Sequence, residues 1–427
     1  MNPTTLVSLV IANMIGAGVF TTSGFALGDL GTPQRVLAAW LTGGGLAFCG
    51  ALSYGMLARQ LPVSGGEYLF LSRNIHPMAG FVAGWISLLA GFTGAIAFAA
   101  TTFEAYTLPQ SSGGGPLNNV VASAVIISAA LFHGFQVKHG TVLQNFAVAL
   151  KLFLLVCFIA FALYSLFHHP WAGIDFFYRH EPAVAPFSLP AFAVTLMWVS
   201  FSYSGFNAAI YVASEARDAR AQVPRAMVTA TLIVILVYLL LNTIFVLAPS
   251  PQAIIFKNDV AAIAARAIGG EVLAGVIRII IAIALFTSVS AMIMAGPRVY
   301  ARMAEDGLMP KALRYTRAAP GVAIAVQASL AIVVVWITGL RELLSYLGIT
   351  LSLSAAATVA SLFVITKRRA VEIKGFTGYP WAPLLFVGFT LLFIGIAAIR
   401  NPWEVLAAVL TILSGAAVYR IFTRKTP

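Results

Sequence analysis

Charged residues and cysteines are both scarce in this chain. Charged residues make up 9% of its 427 residues, and only 14 residues are acidic. The two cysteines, Cys49 and Cys157, lie in apolar stretches, which argues against a disulfide framework. Hydrophobic residues account for 60% of the chain, and the mean hydropathy is +0.92. Because a soluble domain cannot bury that much apolar surface, the composition predicts a polytopic membrane protein.

Motifs of soluble chemistry are missing as well. The chain has no GxxxxGK[ST] phosphate loop, which argues against an ATP-driven pump. His168, His169 and His180 fall in one stretch that is expected to be an external loop, where histidines are more often solvated than metal-bound. The sequence therefore predicts no metal site, no cofactor and no catalytic residue.

Twelve apolar stretches are long enough to be membrane spans, at about 4–29, 34–58, 78–106, 117–135, 141–166, 188–214, 225–249, 271–303, 320–338, 342–366, 380–399 and 402–421. If the N-terminus is cytoplasmic, 18 of the 26 Lys and Arg residues lie on the inner side and seven on the outer side, with Lys151 left over. This bias follows the positive-inside rule and predicts that both termini are cytoplasmic. The net charge of +12 is then a signal of topology, and nucleic acid is not an expected partner.

Small residues interrupt two of these stretches. In IANMIGAGVF at 11–20, Gly16 and Gly18 flank Ala17, and each glycine costs about 1 kcal/mol relative to alanine in a helix interior. Either an unwound turn that lines a cavity or a close helix–helix contact would account for the pair. SFSYSGFNAAI at 200–210 is a second candidate break, although serines in membrane helices also bond to their own backbone. The interrupted stretches open two groups of five spans, which is the pattern of an inverted-repeat transporter.

A broken membrane helix frees backbone groups for a ligand. N–H groups at the start of the second half-helix, near Ala17 and Gly18, suit a carboxylate. Carbonyls released before the first break and around the second suit an ammonium group, and they belong to Met14, Ile15, Phe201, Ser202 and Ser204. Because opposed donors and acceptors fit a zwitterion, an α-amino acid is the natural ligand. Phe201 and Phe206 would form an aromatic gate or pack in the core.

Two basic residues lie inside predicted spans. At 1.5 Å per residue, Lys151 lies about 15 Å from the inner end of the fifth span. Unless the helix boundary is misplaced, this is an intramembrane cation that faces a polar cavity. Arg278, nearer the outer surface, is expected to snorkel outward or to pair with Glu104 or Glu271.

Four regions together resemble the amino acid–polyamine–organocation (APC) superfamily. They are GAGVF at 16–20, LARQLPVSGGEY at 57–68 with GFVAGW at 80–85, SYSGFNAAIYVASE at 202–215 with RAQVPRA at 220–226, and GPRVYARMAEDGLMP at 296–310. The resemblance implies an all-α polytopic membrane protein of 12 transmembrane helices, with the leucine-transporter-type 5+5 inverted repeat and discontinuous helices 1 and 6. Repeat one would be 1–166, an external loop 167–187, repeat two 188–366, and the peripheral helices with a short cytoplasmic tail 380–427.

The same resemblance assigns roles to residues. Lys151 would take the place that a sodium ion holds in other members, bridging the first helix and Ser288. A protonation change at Lys151 as the cavity opens and closes would couple protons to transport. Ala17 stands where many relatives carry Ser or Thr, so one side-chain contact is lost. The candidate substrate-binding residues are Met14, Ile15, Gly16, Ala17, Gly18, Phe201, Ser202, Ser204, Gly205 and Asn207.

The expected function is sodium-independent secondary transport of amino acids by alternating access, as a proton-coupled symporter or an exchanger. The expected location is the plasma membrane of a bacterium or archaeon, with no obligate protein partner. No carboxylate falls at the predicted pocket depth, since Glu104 lies near the outer end of the third span. Neutral substrates are therefore favoured over polyamines or cationic amino acids. A membrane enzyme, and a non-transporting sensor or light subunit, are the other classes considered.

Overall fold

The structure is a computed structural model that describes residues 1–108, 117–134, 140–168, 171, 174, 186–305, 307–314, 321–369 and 378–423. Within these ranges every regular element is a helix. The first half contains α1 (Pro3–Met14), α2 (Ala17–Leu30), α3 (Pro33–Gln60), α4 (Gly66–Asn74), α5 (Pro77–Ile86), α6 (Ala95–Thr107), α7 (Val120–Gly134) and α8 (Gly140–His168). A π-helical turn, Ser87–Gly94, joins α5 to α6.

The second half continues the helical pattern. It contains α9 (Leu189–Ser202), α10 (Ala219–Leu247), α11 (Pro251–Ile254), α12 (Val260–Glu305), α13 (Gly321–Ile337), α14 (Leu340–Arg369), α15 (Trp381–Ala397) and α16 (Pro402–Thr423). Two short 3₁₀ helices, Ala208–Glu215 and Lys311–Leu313, follow α9 and α12. Most of the predicted external loop at 167–187 lies outside the described residues.

The lengths and composition of the helices fit a membrane. Among the described residues, seven helices are long and apolar enough to cross a bilayer, and α1 with α2 forms an eighth span that is bent by 41°. Four further apolar helices, α7, α9, α13 and α15, are shorter. A polytopic all-helical membrane protein, as the composition predicted, is therefore confirmed.

One predicted loop is a helix. Pro62, Gly65 and Gly66 are typical of a loop, and they predict one at the cytoplasmic face between the second and third spans. The structure instead has α4 at Gly66–Asn74. Gly65 and Gly66 both have positive φ, at 149° and 59°, and they turn the chain into this helix. The helix is short and polar, so hydropathy alone does not reveal it. Its first turn carries Glu67, which is buried.

The acidic partners predicted for Arg278 are wrong. Its guanidinium lies 2.5 Å from an oxygen of Asp259, whereas Glu271 pairs with Arg266. Nineteen residues of straight helix would separate Asp259 from Arg278 by about 28 Å. The non-helical Gly269 and Gly270 fold the chain back and bring the two together.

Glu104, which was considered as a partner of Arg278, has a different role. Its two carboxylate oxygens accept hydrogen bonds from the backbone N–H groups of Asn119 and Ala122, at 2.8 and 2.9 Å. A carboxylate at a helix N-terminus satisfies N–H groups that have no partner within the helix. Glu104 therefore caps α7.

Candidate functional site

The first span is broken between α1 and α2. Ile15 has φ −78° and ψ 90°, and Gly16 is extended at φ −123° and ψ −159°. Ala17 and Gly18 form the first turn of α2, so the break falls just before the position expected from the glycine pair. Among the residues that the structure describes, no side chain caps the N-terminus of α2. Helix geometry leaves the N–H groups of this first turn without intrahelical partners, as an anion site requires.

The second break follows α9. After Ser202 the chain makes a turn over 203–207, in which the N–H of Ser204 bonds to the carbonyl of Phe201 at 2.9 Å. Gly205 has φ +96°, and a Cβ there would lie 2.9 Å from the carbonyl carbon of Asn13. Only glycine accepts both this backbone conformation and this close approach to α1. The second interruption predicted from the serines is thus present.

The two breaks contact each other directly. A Cβ on Gly18 would lie 2.5 Å from Oγ of Ser202 and 2.9 Å from its Cα, so the two backbones touch there. The hydroxyls of Thr22 and Ser202 are 3.1 Å apart. The structure therefore brings residues of the first and sixth predicted spans into one place.

Tyr238 of α10 links the two breaks, and no sequence pattern predicts this role. Its hydroxyl lies 2.6 Å from the carbonyl oxygen of Met14 and 3.0 Å from that of Ser202. The ring packs edge-on against Trp40, with centroids 5.4 Å apart. In the sequence, Tyr238 is an ordinary aromatic residue of an apolar helix. Only the fold shows that its hydroxyl bonds to carbonyls at the two breaks.

The remaining candidate residues border the breaks. Gly16, Phe201, Ser204, Gly205 and Asn207 are each half-buried. A Cβ added to Gly16 would meet nothing within 4 Å. Open space therefore lies beside the first break, where a small ligand would reach the start of α2.

The two aromatic candidates differ in their surroundings. Phe201 is half-buried and meets Phe98 edge-on at a centroid distance of 5.2 Å. Phe206 is buried and packs against Tyr54 and Phe386. Phe206 is thus part of the core, whereas Phe201 borders the break.

Lys151 reaches the first break from α8. It is 4% exposed, and its ammonium donates a 2.7 Å hydrogen bond to the carbonyl oxygen of Ile15. The Ser288 hydroxyl donates to the carbonyl of Ala284 in its own helix, at 2.9 Å. In the described part of the chain no hydrogen bond joins Lys151 to Ser288. The Lys151 amine therefore contacts the freed carbonyl of Ile15, whereas the Ser288 hydroxyl bonds within its own helix, α12.

A buried carboxylate lies close to the second break. Glu67 accepts hydrogen bonds from the hydroxyls of Tyr54 and Ser354, and the amide nitrogen of Asn207 lies 3.3 Å from one of its oxygens. The expectation that no carboxylate comes near the pocket is therefore wrong. The expectation fails because α4 places Glu67 in the protein interior and not in a surface loop.

Ion pairs join the end of α2 to the start of α14 and to the connection between α15 and α16. The carboxylate of Asp29, at the end of α2, lies 2.6 Å from Arg341 and 3.1 Å from Arg400, and its side chain is 2% exposed. The guanidinium of Arg341 also lies over the rings of Trp198 and Phe256. These contacts connect α2, α9 and α14.

Comparison with known proteins gives a match over almost the whole chain. A family model described as amino acid permease matches residues 1–416. The chain is 26% identical to the Asc-type amino acid transporter 1 of Homo sapiens, over 98% of this chain and 82% of that protein. It is 23% identical to the serine/threonine exchanger SteT of Bacillus subtilis (strain 168), over 96% and 94%. It is also 26% identical to the large neutral amino acids transporter small subunit 2 of Homo sapiens, over 90% and 74%.

Proposed function

Because the chain belongs to the amino acid permease family, as its resemblance to the APC superfamily predicted, we propose that it is a sodium-independent secondary transporter of neutral amino acids. It works by alternating access, as an exchanger or a proton-coupled symporter. The observation that carries this proposal is the contact between the two breaks, where Gly18 meets Ser202. Paired interrupted helices at one place are the hallmark of transporter sites built from inverted repeats.

The full architecture is part of the proposal. Twelve spans would form two inverted repeats, 1–166 and 188–366, followed by a peripheral pair in 380–427. The eight spans, counting the bent pair, and the four shorter apolar helices support this number. The protein would lie in the plasma membrane with both termini cytoplasmic, as its Lys and Arg distribution favours.

Both ends of the substrate would be held by backbone groups. The carboxylate would accept hydrogen bonds from the first turn of α2, at Ala17 and Gly18, where the helix dipole is also favourable. The ammonium group would donate to carbonyls at the ends of α1 and α9. Although Met14 and Ile15 already accept bonds from Tyr238 and Lys151, a carbonyl oxygen has two lone pairs and can accept a second.

Sodium independence rests on Lys151. A buried ammonium that bonds to the carbonyl of Ile15 supplies a positive charge at the broken end of α1. A sodium ion bound to such a freed carbonyl would supply the same charge. With Lys151 bonded to Ile15, the end of α1 holds its position without an ion from solution.

Neutral substrates are favoured over polyamines and cationic amino acids. Those cations would need a free carboxylate in the pocket. Glu104 caps α7, and Glu67 already accepts hydrogen bonds from Tyr54, Ser354 and Asn207, so both carboxylates have protein partners. The printed names of two relatives, a serine/threonine exchanger and a large neutral amino acid transporter subunit, agree with this preference.

Counterflow into proteoliposomes that contain only this chain tests the proposal. Vesicles preloaded with unlabelled L-serine, L-threonine, L-alanine or L-leucine should take up the matching labelled amino acid without sodium, and vesicles without protein should not. Loading with L-lysine or spermidine should support little uptake.

Counterflow of spermidine or L-lysine alone would favour the cation carrier. Absence of any counterflow by the purified chain would contradict transport by the chain alone, which matters because one relative is named a small subunit.

A further inference from the structure

Glu67 is a buried acid that the proposed substrate site does not use. It lies in the first turn of α4 and is 9% exposed. Its three hydrogen-bond partners come from three different parts of the fold: Tyr54 from α3, Ser354 from α14 and Asn207 from the turn of the second break. A carboxyl group held in this way responds to movement of any of these parts.

The start of α4 is fastened to the inner half of the second broken span. Ser64 and Ser214 exchange two hydrogen bonds from backbone N–H to hydroxyl, at 2.9 and 3.0 Å. Next to them, Gly66 lies against the ring of Tyr211, so closely that a Cβ would be 2.2 Å from it. A movement of this inner half relative to α4 would break these contacts and expose Glu67.

The groups around Glu67 are mostly neutral. Tyr54 of α3 and Tyr211 of the 3₁₀ helix are the titratable groups that interact with it. The helix α14 contributes the hydroxyl of Ser354, and the sequence of α5, Pro77–Ile86, contains no ionisable residue. The arginines at the ends of α3 and α4, Arg59 and Arg73, are exposed.

This environment favours the protonated acid. Burial raises the pKa of Glu67 above its ordinary value, and the hydrogen bonds from Ser354 and Tyr54 lower it in part. Exposure to cytoplasmic water would remove the desolvation and return the pKa towards its ordinary value. The same carboxyl group therefore takes up a proton when it is enclosed and releases it when the span opens.

We propose that Glu67 is a proton-binding site of the transport cycle, loaded while the inner half of the second broken span is closed against α4 and emptied into the cytoplasm when that half opens. This inference rests on the proposed transport function and makes the carrier a proton symporter. Since the enclosed acid loses its proton as the pH rises through its pKa, proton-driven uptake should be high at acidic external pH and fall as that pH increases.

Glu67→Gln in the full chain separates proton coupling from substrate movement. Glutamine keeps the shape of the side chain but cannot exchange a proton. For the same four neutral amino acids, counterflow should stay within about threefold of the wild type, a change of under 1 kcal/mol. Stimulation of uptake by an acidic exterior should disappear. Glu104→Gln, which also removes a buried carboxylate, is the matched control and should keep the stimulation.

Ser354→Ala provides a second readout that does not depend on Glu67→Gln folding well. Loss of the hydrogen bond from Ser354 to the carboxylate should move the pH at which uptake falls about one unit higher. A purely structural role for Glu67 would leave that midpoint unchanged. Acid stimulation that survives in Glu67→Gln, or an unchanged midpoint in Ser354→Ala, would overturn the inference.

The wild type distinguishes failure of this inference from failure of the proposed function. Counterflow with no response to a pH gradient would refute proton binding at Glu67 and leave amino acid exchange standing. Absence of counterflow would refute the transport function itself.

Discussion

Replacing Lys151 with methionine is expected to lower the initial rate of amino acid counterflow about tenfold or more. The substitution removes the donor to the carbonyl of Ile15 in a buried position. An unsatisfied buried acceptor costs about 1–3 kcal/mol, and a hydrogen bond from a charged group contributes a similar amount. A loss of about 1.4 kcal/mol changes an equilibrium constant tenfold. The end of α1 should therefore leave its position in most molecules.

The control for Lys151→Met is Lys257→Met, which removes an exposed lysine from the connection between α11 and α12. Its counterflow should equal that of the wild type. The melting temperature of both variants in detergent shows whether the loss reflects unfolding. A folded Lys151→Met protein with full, sodium-independent counterflow would contradict the role given to this amine.

Gly18→Ala is expected to reduce counterflow at least about tenfold while the protein remains membrane-inserted. The new Cβ would lie 2.5 Å from Oγ and 2.9 Å from Cα of Ser202. The hydroxyl can rotate away, but the backbone atom cannot, so the breaks must move apart. Overpacking of this kind costs about 1–3 kcal/mol, and it falls on the two backbones that are proposed to hold the substrate.

Gly45→Ala is the matched control for Gly18→Ala. Gly45 lies in α3 at an exposed position, where an added Cβ meets nothing within 4 Å. Alanine is the better helix former by about 1 kcal/mol, so this variant should be at least as stable as the wild type and equally active. Equal counterflow from Gly18→Ala and Gly45→Ala would show that the contact between the breaks is not needed for transport.

The local features of the site could be predicted from the sequence. The flanking glycines at 16 and 18 identify the first break because glycine is costly in a helix interior, and the serines at 200–204 identify the second. The depth of Lys151 follows from the rise per residue of a helix. Each of these inferences uses only neighbouring residues and the geometry of one helix.

Contacts between distant segments could not be predicted in this way. The hydroxyl of Tyr238 reaches Met14 across 224 positions of the chain, and nothing in an apolar helix distinguishes this tyrosine from a core residue. The sequence around Glu67 predicts a loop, because α4 is too short and too polar to resemble a membrane span. Asp259 meets Arg278 only because Gly269 and Gly270 reverse the chain direction.

In the proposed function, backbone groups of both breaks recognise the two charged ends of an amino acid. Calorimetric titration of the purified chain with each neutral amino acid of the panel, its methyl ester and its decarboxylated amine tests this claim most directly. The ester and the amine should bind at least about 100-fold more weakly, since each loses charge-assisted hydrogen bonds that contribute about 1.5–3 kcal/mol apiece. Equal affinity for an amino acid and its ester or amine would contradict it.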